Sequence, residues 1–550
     1  MTVWGFVKAV VTAPFLAAIC AAIGWVNAGT IIFLDFVVHW AFGLEQGLIS
    51  EVLLVVAKHL PLVFGVFGFM GAFVSEMPVQ SVFGTARWAS AKDIASMRGK
   101  DRAGLIIGRD PQTKALLRYD GPSHLMTMAP TRTGKGVGTI IPNLLTLQRS
   151  VICIDPKGEN ARITARARER FGALHVLDPF GVTDRQSSCF NPFAHLDAND
   201  VDIAEHAGTL AGALVYDEPG SSGDAHWNEE ARALIAGLIM MVVASEPPHR
   251  RHPATLRDYL TRAPKAFDDL LTRMQESRCC DGLIARAANR HLGKSDCEAS
   301  GVLSSAQRHT HFLDSPRMKR VMERSDFCFA DLKQRTQSVF LVLPPDRLGT
   351  YARWLRLMIS QSLTEMVGTR NGASPLESVT PPEVAATSFC KRKRAVPANK
   401  SVLFLLDEFA SLGRLAAVER AMGLMAGYGV QLWPILQDIH QLRALYGKGA
   451  NTFLANAGVL QVFGVNDIET AGLVARSIGK RDAHYMTASH SEGKQTNSEH
   501  IAARNLINAD EIMRLPEDRM ILLRQGHYPA KLRKIRYYED KEFKGLFDRI

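Results

Sequence analysis

The chain has 550 residues, a formal net charge of +10, and 22% charged and 47% hydrophobic residues. This length excludes a single compact core and predicts two or three domains, while the composition is that of an ordinary globular enzyme. The positive balance suits a nucleic-acid or anionic-lipid partner without requiring either. The eight cysteines have no CxxC spacing, which argues against a zinc set or a disulfide framework and for reduced thiols in a cytoplasmic domain.

Residues 1–78 differ from the rest. From about Phe6 to Val26 the chain is apolar apart from Lys8, and from about Val52 to Val74 apart from Lys58 and His59, each run long enough to cross a ~30 Å hydrocarbon core. Two transmembrane helices are predicted, with Lys58 near the outer interface. Lys8 lies at the start of the first, Arg87, Lys92, Arg98 and Lys100 follow the second, and the connection 27–51 has neither Lys nor Arg, so both termini are expected in the cytoplasm. A cleavable signal peptide ending near Asn27-Ala28-Gly29 is the competing reading of the first run. The stretch Ile31 to Phe42 is too short to span and reads as a periplasmic helix lying on the bilayer or on a partner.

Beyond the basic stretch that follows, short apolar runs alternate with helical patterns, as in a parallel sheet covered on both faces. Candidate strands are Leu125 to Met128, Val151 to Asp155, Leu174 to Asp178, Val339 to Leu343, Val402 to Asp407, Gln431 to Leu436 and Gly458 to Phe463, with Met520 to Leu523 and Ala530 to Arg536 near the end. Ligands belong at the carboxyl ends of such strands. Between Asp178 and Val339 the alternation stops, and Val201 to Val215, Trp227 to Ala244, Thr255 to Leu260 and Pro264 to Glu276 read as helices of an inserted all-α domain at 184–329. Segments 79–183 and 330–550 then make up the nucleotide-binding domain. The stretch Arg370 to Lys400, with Lys391-Arg392-Lys393-Arg394, reads as a solvated loop, and Asp482 to Glu499, followed by a short helix at Ala509 to Arg514, as a mobile one.

The first strand runs into Ala129-Pro130-Thr131-Arg132-Thr133-Gly134-Lys135-Gly136, ahead of the apolar run Val137 to Leu145. A Gly-rich turn between a buried strand and a helix start aims backbone N–H groups and the helix dipole at phosphates, and the lysine adds a mobile charge. The phosphate-binding candidates are Thr131, Arg132, Thr133, Gly134, Lys135, Gly136 and Val137. Two positions depart from the usual pattern: Ala129 stands where Gly is expected, and Gly136 where a Ser or Thr hydroxyl is expected.

The run Val402-Leu403-Phe404-Leu405-Leu406-Asp407-Glu408 is an apolar strand ending in two carboxylates. Asp407 is the candidate Mg²⁺ ligand and Glu408 the group that orients and deprotonates the attacking water, on a strand expected side by side with that of the phosphate loop. Gln437, at the tip of the next strand, is a candidate sensor of the γ-phosphate, with a strand-capping role as the alternative. Asp155, Lys157 and Glu159 fall on the same side of the sheet. Arg132, Arg414 and Arg443 are candidates for an arginine acting across a subunit boundary. Two basic clusters, Arg162, Arg166, Arg168 and Arg170, and Lys531, Arg533, Lys534 and Arg536, suit either backbone contacts to DNA or a solvated surface.

Taken with Asp155-Pro-Lys-Gly-Glu159-Asn160, Leu177-Asp178-Pro179-Phe180, Phe190-Asn191-Pro192, Leu406-Asp-Glu-Phe409, Leu436-Gln437-Asp438, Ile512-Met513-Arg514-Leu515-Pro516 and Lys534-Ile535-Arg536-Tyr537-Tyr538, the phosphate loop resembles that of TraG-type coupling proteins of type IV secretion and conjugation systems. The likeness covers nearly the whole chain. It implies a RecA-like P-loop ATPase domain, an inserted all-α domain and a two-helix anchor in the bacterial inner membrane, with the large domain and both termini cytoplasmic. It also implies a homo-hexameric ring that uses ATP and Mg²⁺ to draw relaxase-bound DNA, read without sequence preference, or protein effectors toward the secretion channel. Loops ending in Lys-Gly occur in that family, leaving Asp407, water and nucleotide, with Thr133 or Thr139 as possible helpers, to complete the metal shell. A substrate receptor with little or no hydrolysis is the alternative, motivated by the absent hydroxyl. A septal chromosome pump fits less well, because no DNA-reading winged helix follows Arg536.

Overall fold

The computed structural model describes residues 81–99, 104–216, 225–368, 401–491 and 494–549, with scattered helical positions between 22 and 66. The chain divides into two compact units, Met1–Gly84 with Asp482–Ala502, and Thr85–Arg481 with Ala503–Ile550. In the second, β1 (Leu105–Arg109), β2 (Leu116–Tyr119), β3 (His124–Met128), β4 (Val151–Asp155), β5 (Ala173–Leu177), β6 (Gln337–Val342), β7 (Val402–Leu406), β8 (Val430–Leu436), β9 (Ala457–Val462), β12 (Arg519–Arg524) and β13 (Ala530–Arg533) form an 11-stranded sheet. Its order is β2-β1-β13-β12-β9-β3-β8-β7-β4-β6-β5. From β9 to β5 every pairing is parallel, and β12, β13, β1 and β2 extend the β9 edge with antiparallel pairings.

The side chains of the central strands explain this architecture. Because residues alternate between faces, Met126, Met128, Ile152, Ile154, Phe404 and Leu406 enter one apolar core, while Leu125, Val151, Cys153, Leu403, Leu405 and Trp433 enter another. All five residues of β3, β4 and β7 are buried, so neither face can be left in water and helices must cover both. Ten or more apolar side chains of this size, each contributing roughly 1.5–3 kcal/mol on burial, make the strand interior the most rigid platform in the molecule. The helical stretch between β5 and β6, including Ile203–Leu214, Ala225–Ser245, Pro253–Leu260 and Pro264–Glu276, packs into the first of these cores together with the strands. Its helices therefore rest on the sheet.

Three sequence expectations are corrected. The strand of the phosphate loop and the strand of Asp407 are not neighbours, because β8 pairs with β3 on one side and with β7 on the other. Residues 482–499 are not a loop: β10 (Lys480–Ser491) and β11 (Lys494–Asn505) pair as a hairpin, with His484 Nδ1 3.0 Å from Glu499 Oε1 and Tyr485 stacked on His500 at 5.4 Å. No apolar alternation marks these strands, since backbone pairing and polar cross-strand contacts hold them. β1 and β2 were missed because Gly108 and Lys114 interrupt short runs, although β1 is buried throughout.

Among the described residues no helix is long and apolar enough to cross a membrane. The expected spans 6–26 and 52–74 fall almost wholly outside the described residues, as do the Ile31 to Phe42 helix and the Arg370 to Lys400 loop. Where positions within the two spans are described they are helical, and Trp25 and Leu62 are each 68% exposed.

Arg168 is not available to a nucleic acid. It is fully buried, and its guanidinium donates to the carbonyls of Leu144 (3.4 Å), Leu147 and Arg149 (2.7 Å) and to Ser338 Oγ (2.8 Å). Those carbonyls lie in and just beyond the helix Ile141–Thr146 that follows the phosphate loop, so Arg168 satisfies acceptors that the helix end leaves open. Burial pushes its pKa down to about 9. Arg166, which shares the helix Glu159–Phe171 with Arg168, pairs with Asp548 at 2.7 Å. Replacing Arg168 with Met should leave these carbonyls without a donor and cost about 3 kcal/mol, read as a lower melting temperature and earlier denaturant midpoint with the same secondary structure. An unchanged midpoint would remove Arg168 from the fold's polar framework.

Candidate functional site

β3 carries the chain to the carboxyl edge of the sheet, where Ala129 N–H donates to the Leu436 carbonyl of β8 (2.9 Å) and opens the loop. The crest turns on two left-handed residues, Arg132 (φ 65°) and Gly134 (φ 91°). Thr133 folds back on Pro130, whose carbonyl accepts from the Thr133 N–H (3.4 Å) and hydroxyl (2.6 Å). Lys135 begins the helix, whose first turn, Gly136–Ile140, is π-type. The cause is Pro142: it has no N–H for Gly138 and its ring crowds that carbonyl, so Ile141 N–H reaches back five residues to Gly136. A Cβ on Gly138 would meet the Ile535 carbonyl at 2.9 Å, whereas one on Gly136 would meet nothing within 4 Å.

Beneath the loop the sheet supplies two acids and an amide. Asp407 follows the last residue of β7. Glu408 holds a left-handed backbone (φ 48°) whose N–H donates to Asp407 Oδ1 at 3.0 Å. Lys135 Nζ reaches Glu408 Oε1 at 2.5 Å and lies 3.8 Å from Asp407 Oδ1. Gln437, at the tip of β8, donates from Nε2 to Glu408 Oε2 at 3.2 Å, and its own N–H is held by Gln441 Oε1 at 3.0 Å. Since β8 separates β3 from β7, its tip is the position from which one amide can reach the Asp407-Glu408 turn. Lys135, Asp407, Glu408 and Gln437 are thus brought together, while Thr131 and Arg132 are exposed and Thr133, Gly134, Gly136 and Val137 half-buried along the loop.

Burial pushes the Asp407 carboxyl up to about 6, against the pull of Lys135. One strand away, burial raises Asp155 to about 7 although the Ala161 N–H donates to it at 2.8 Å. A desolvated carboxylate gains most from a cation at its oxygens, and two acids beside a phosphate cradle match the way Mg²⁺ is held, by one or two carboxylates, phosphate oxygens and water. The loop fits the anion: its N–H groups, a helix start and an ammonium converge within reach of those acids. Thr139 is 2% exposed and faces Gln461 Oε1 at 3.4 Å, and the Thr133 hydroxyl is spent on Pro130, so neither replaces the hydroxyl absent at Gly136.

Two supports were not read from the sequence. Buried Gln461 accepts from Thr127 Oγ1 (2.8 Å) and donates to the Ile107 carbonyl (3.0 Å), tying β9 to β3 and β1. Asn143 holds both backbone groups of Ile106, accepting at 2.8 Å and donating at 3.0 Å. A single amide inside each apolar run, Val137 to Leu145 and Gly458 to Phe463, was the available signal, since such a group is buried only with partners. Of the arginine candidates, Arg414 lies 3.5 Å from Glu419 and Arg443 2.9 Å from Glu469, and Arg132 is exposed at the loop crest. In the carboxy-terminal basic cluster, Arg533 faces Asp518 at 3.5 Å and Arg536 faces Glu539 at 3.1 Å.

Comparison with known proteins bears on the family and the fold. The chain is 27% identical over 488 residues to protein VirD4 of Agrobacterium fabrum, covering 84% of this chain and 67% of that protein. It is 27% identical over 465 residues to the conjugal transfer protein TraG of Escherichia coli, covering 77% and 69%. In fold it resembles the plasmid coupling protein TrwB solved with the non-hydrolysable ATP analogue ADPNP, with a TM-score of 0.58 at 18% identity over 84% of this chain and 95% of that one. The same protein has been solved with ADP and Mg²⁺. The model of the type IV secretory system conjugative DNA transfer family matches residues 87–547, and the chain belongs to that family.

Proposed function

We propose that this chain is the coupling ATPase of a type IV secretion system, which recruits DNA or protein cargo and drives it toward the secretion channel by hydrolysing ATP with Mg²⁺. The observation that carries the reading is the convergence of Lys135, Asp407, Glu408 and Gln437 at one edge of the sheet, 2.5 to 3.8 Å apart along the chain of contacts, in a member of the conjugative DNA transfer family. TrwB, a coupling protein of the same fold, is known with an ATP analogue and with ADP and Mg²⁺.

In this reading the loop from Thr131 to Val137 surrounds the phosphates, and Lys135 leaves Glu408 to bind the β and γ oxygens. Asp407 would hold Mg²⁺, which when bound would supply positive charge against the phosphates. Glu408, released from the lysine, orients the attacking water and takes its proton. Gln437, already bonded to Glu408, reports the presence of the γ-phosphate through that carboxylate. The all-α segment 184–329 faces cargo, the apolar runs at 6–26 and 52–74 anchor the chain in the bacterial inner membrane with both termini in the cytoplasm, and six copies form a ring around DNA held without sequence preference. The outward apolar side chains at Trp25 and Leu62 support the anchor. A substrate receptor that hydrolyses slowly is the second reading, favoured by the missing hydroxyl at Gly136.

The test uses the full chain in lipid nanodiscs. Wild type should hydrolyse ATP with stimulation by DNA. Lys135→Ala should lose nucleotide binding, and Glu408→Gln should keep binding while turnover drops by about 10²-fold or more. No turnover at any protein or DNA concentration would rule out the motor and favour the receptor. DNA affinity should fall steeply between low and physiological salt and change little with sequence.

Gly136 offers a second check. Space around it is open, so Gly136→Ser should leave stability within about 1 kcal/mol of wild type while supplying the absent metal ligand. The Mg²⁺ concentration giving half-maximal turnover should drop severalfold; no shift would mean that the metal lies away from this turn of the loop.

A further inference from the structure

One cation at the phosphate loop comes from the opposite end of the chain. Lys534, immediately after β13, donates from Nζ to the Thr133 carbonyl at 2.7 Å. The ammonium lies 4.0 Å from where a Cβ on Gly134 would be and 5.1 Å from the centre of the Phe463 ring, over its face. Its backbone is fixed as well, since Lys534 N–H donates to the Asp518 carbonyl at 2.8 Å. Thr133 is also confined from the β9 side: a Cβ on Gly464 (φ 65°) would come within 2.4 Å of Thr133 Cγ2, so glycine there lets the β9 exit press against the loop.

Peptide planarity turns this contact into an orientation. In a trans peptide the carbonyl of one residue and the N–H of the next point in opposite directions. A cation that holds the Thr133 carbonyl outward therefore directs the Gly134 N–H inward. Gly134 has no side chain to resist rotation and sits in a left-handed conformation, so without a partner on the carbonyl the peptide is free to flip and aim an oxygen at the phosphates.

We propose that Lys534 is a positioning residue for the phosphate loop, which locks the Thr133–Gly134 peptide so that the Gly134 N–H faces the nucleotide phosphates. The proposal rests on the nucleotide-binding reading of the loop. The rival role for this lysine is a contact to a DNA phosphate, because it lines a cavity of about 330 Å³ with Arg109, Arg533 and Arg536. Asp518, Glu539 and Asp540 line the same cavity and pair with those arginines, at 3.5 Å for Arg533–Asp518, 3.1 Å for Arg536–Glu539 and 3.1 Å for Arg109–Asp540, which blunts its appeal to a polyanion. Burial lowers the Lys534 pKa, in keeping with a side chain turned in toward the loop.

The test compares wild type, Lys534→Met and Lys534→Arg as full chains in nanodiscs, reading equilibrium binding of ATPγS, KM and kcat for ATP, DNA affinity and melting temperature. Losing one charge-assisted hydrogen bond predicts an ATPγS affinity and a KM weaker by about tenfold in Lys534→Met, with kcat within about twofold and DNA affinity unchanged. Lys534→Arg, which keeps charge and donors, should recover most of that loss. A Lys534→Met protein that binds ATPγS like wild type overturns the proposal, whether or not its DNA affinity falls, and so does an arginine variant as weak as the methionine one. If Lys534→Met does not fold, Lys534→Gln decides: its amide lacks the charge and the reach of the lysine, so ATPγS affinity should fall by a similar factor, and wild-type affinity would overturn the lock. Wild type that binds ATPγS without turnover would refute the motor reading and leave this test intact.

Discussion

Seven parallel strands, of which β3, β8, β7, β4 and β6 are buried throughout, set the terms for everything else in the molecule. With both faces covered by helices, polar chemistry has room only where strands end, and because these strands are parallel their carboxyl ends share one edge. The backbone of β3 runs out into the phosphate loop there, β7 into Asp407 and Glu408, β8 into Gln437 and β4 into Asp155. A polar residue within a strand must be tied off internally, as Gln461 is. One at the tip is left partly desolvated beside other tips, which is why the Asp407 and Asp155 carboxyls are both pushed upward. The site is polar because the sheet expels it.

How much of this could be read from the sequence follows from the same physics. Runs such as Val402 to Leu406 and Val151 to Asp155 are apolar on successive residues, a pattern that a two-sided strand produces and a surface strand does not, so the parallel strands were legible nearly to the residue. The phosphate loop was legible because its backbone demands glycine at 134 and its chemistry demands a lysine. Strand order is a different kind of information. Nothing in residues 125–128 or 402–407 records that β8 lies between them, and expecting the two strands side by side failed on that point. The hairpin of β10 and β11 was equally invisible, since its register rests on backbone bonds and contacts such as His484–Glu499 that carry no apolar period. Lys534 was visible as a charge but not as a partner of Thr133, some 400 positions away, because the antiparallel strands β12 and β13 alone bring it there.

The antiparallel edge is more than an extension of the sheet. β1 is joined to the loop's own helix through Asn143, which bonds both backbone groups of Ile106, and to β9 through Gln461. The residue after Lys534 sets its carbonyl against Gly138, where any side chain would collide. The first turn of the helix is therefore held from outside as well as bent from within by Pro142. A π-turn held in this way cannot relax to a regular α-helix without disturbing β13, and Gly136 lies in that turn. The open space beside Gly136 is a result of this geometry: the widened turn leaves a gap that no neighbouring side chain fills.

Lys135 cannot serve Glu408 and a phosphate at once. Lys135 sits 2.5 Å from one Glu408 oxygen and Gln437 occupies the other, so in the proposed mechanism the carboxylate assigned to the attacking water is masked. Under that proposal a triphosphate, carrying several negative charges, would draw the ammonium away from a single carboxylate, and the exchange would free the base only once the γ-phosphate had arrived. Burial makes an uncompensated negative charge on Asp407 costly, so this carboxylate would hold Mg²⁺, which would supply the compensating charge. The left-handed backbone of Glu408, unfavourable for a side-chain-bearing residue by about 1 kcal/mol or more, accompanies a carboxylate held by both Lys135 and Gln437, and a base masked in this way would stay idle until nucleotide draws the lysine off.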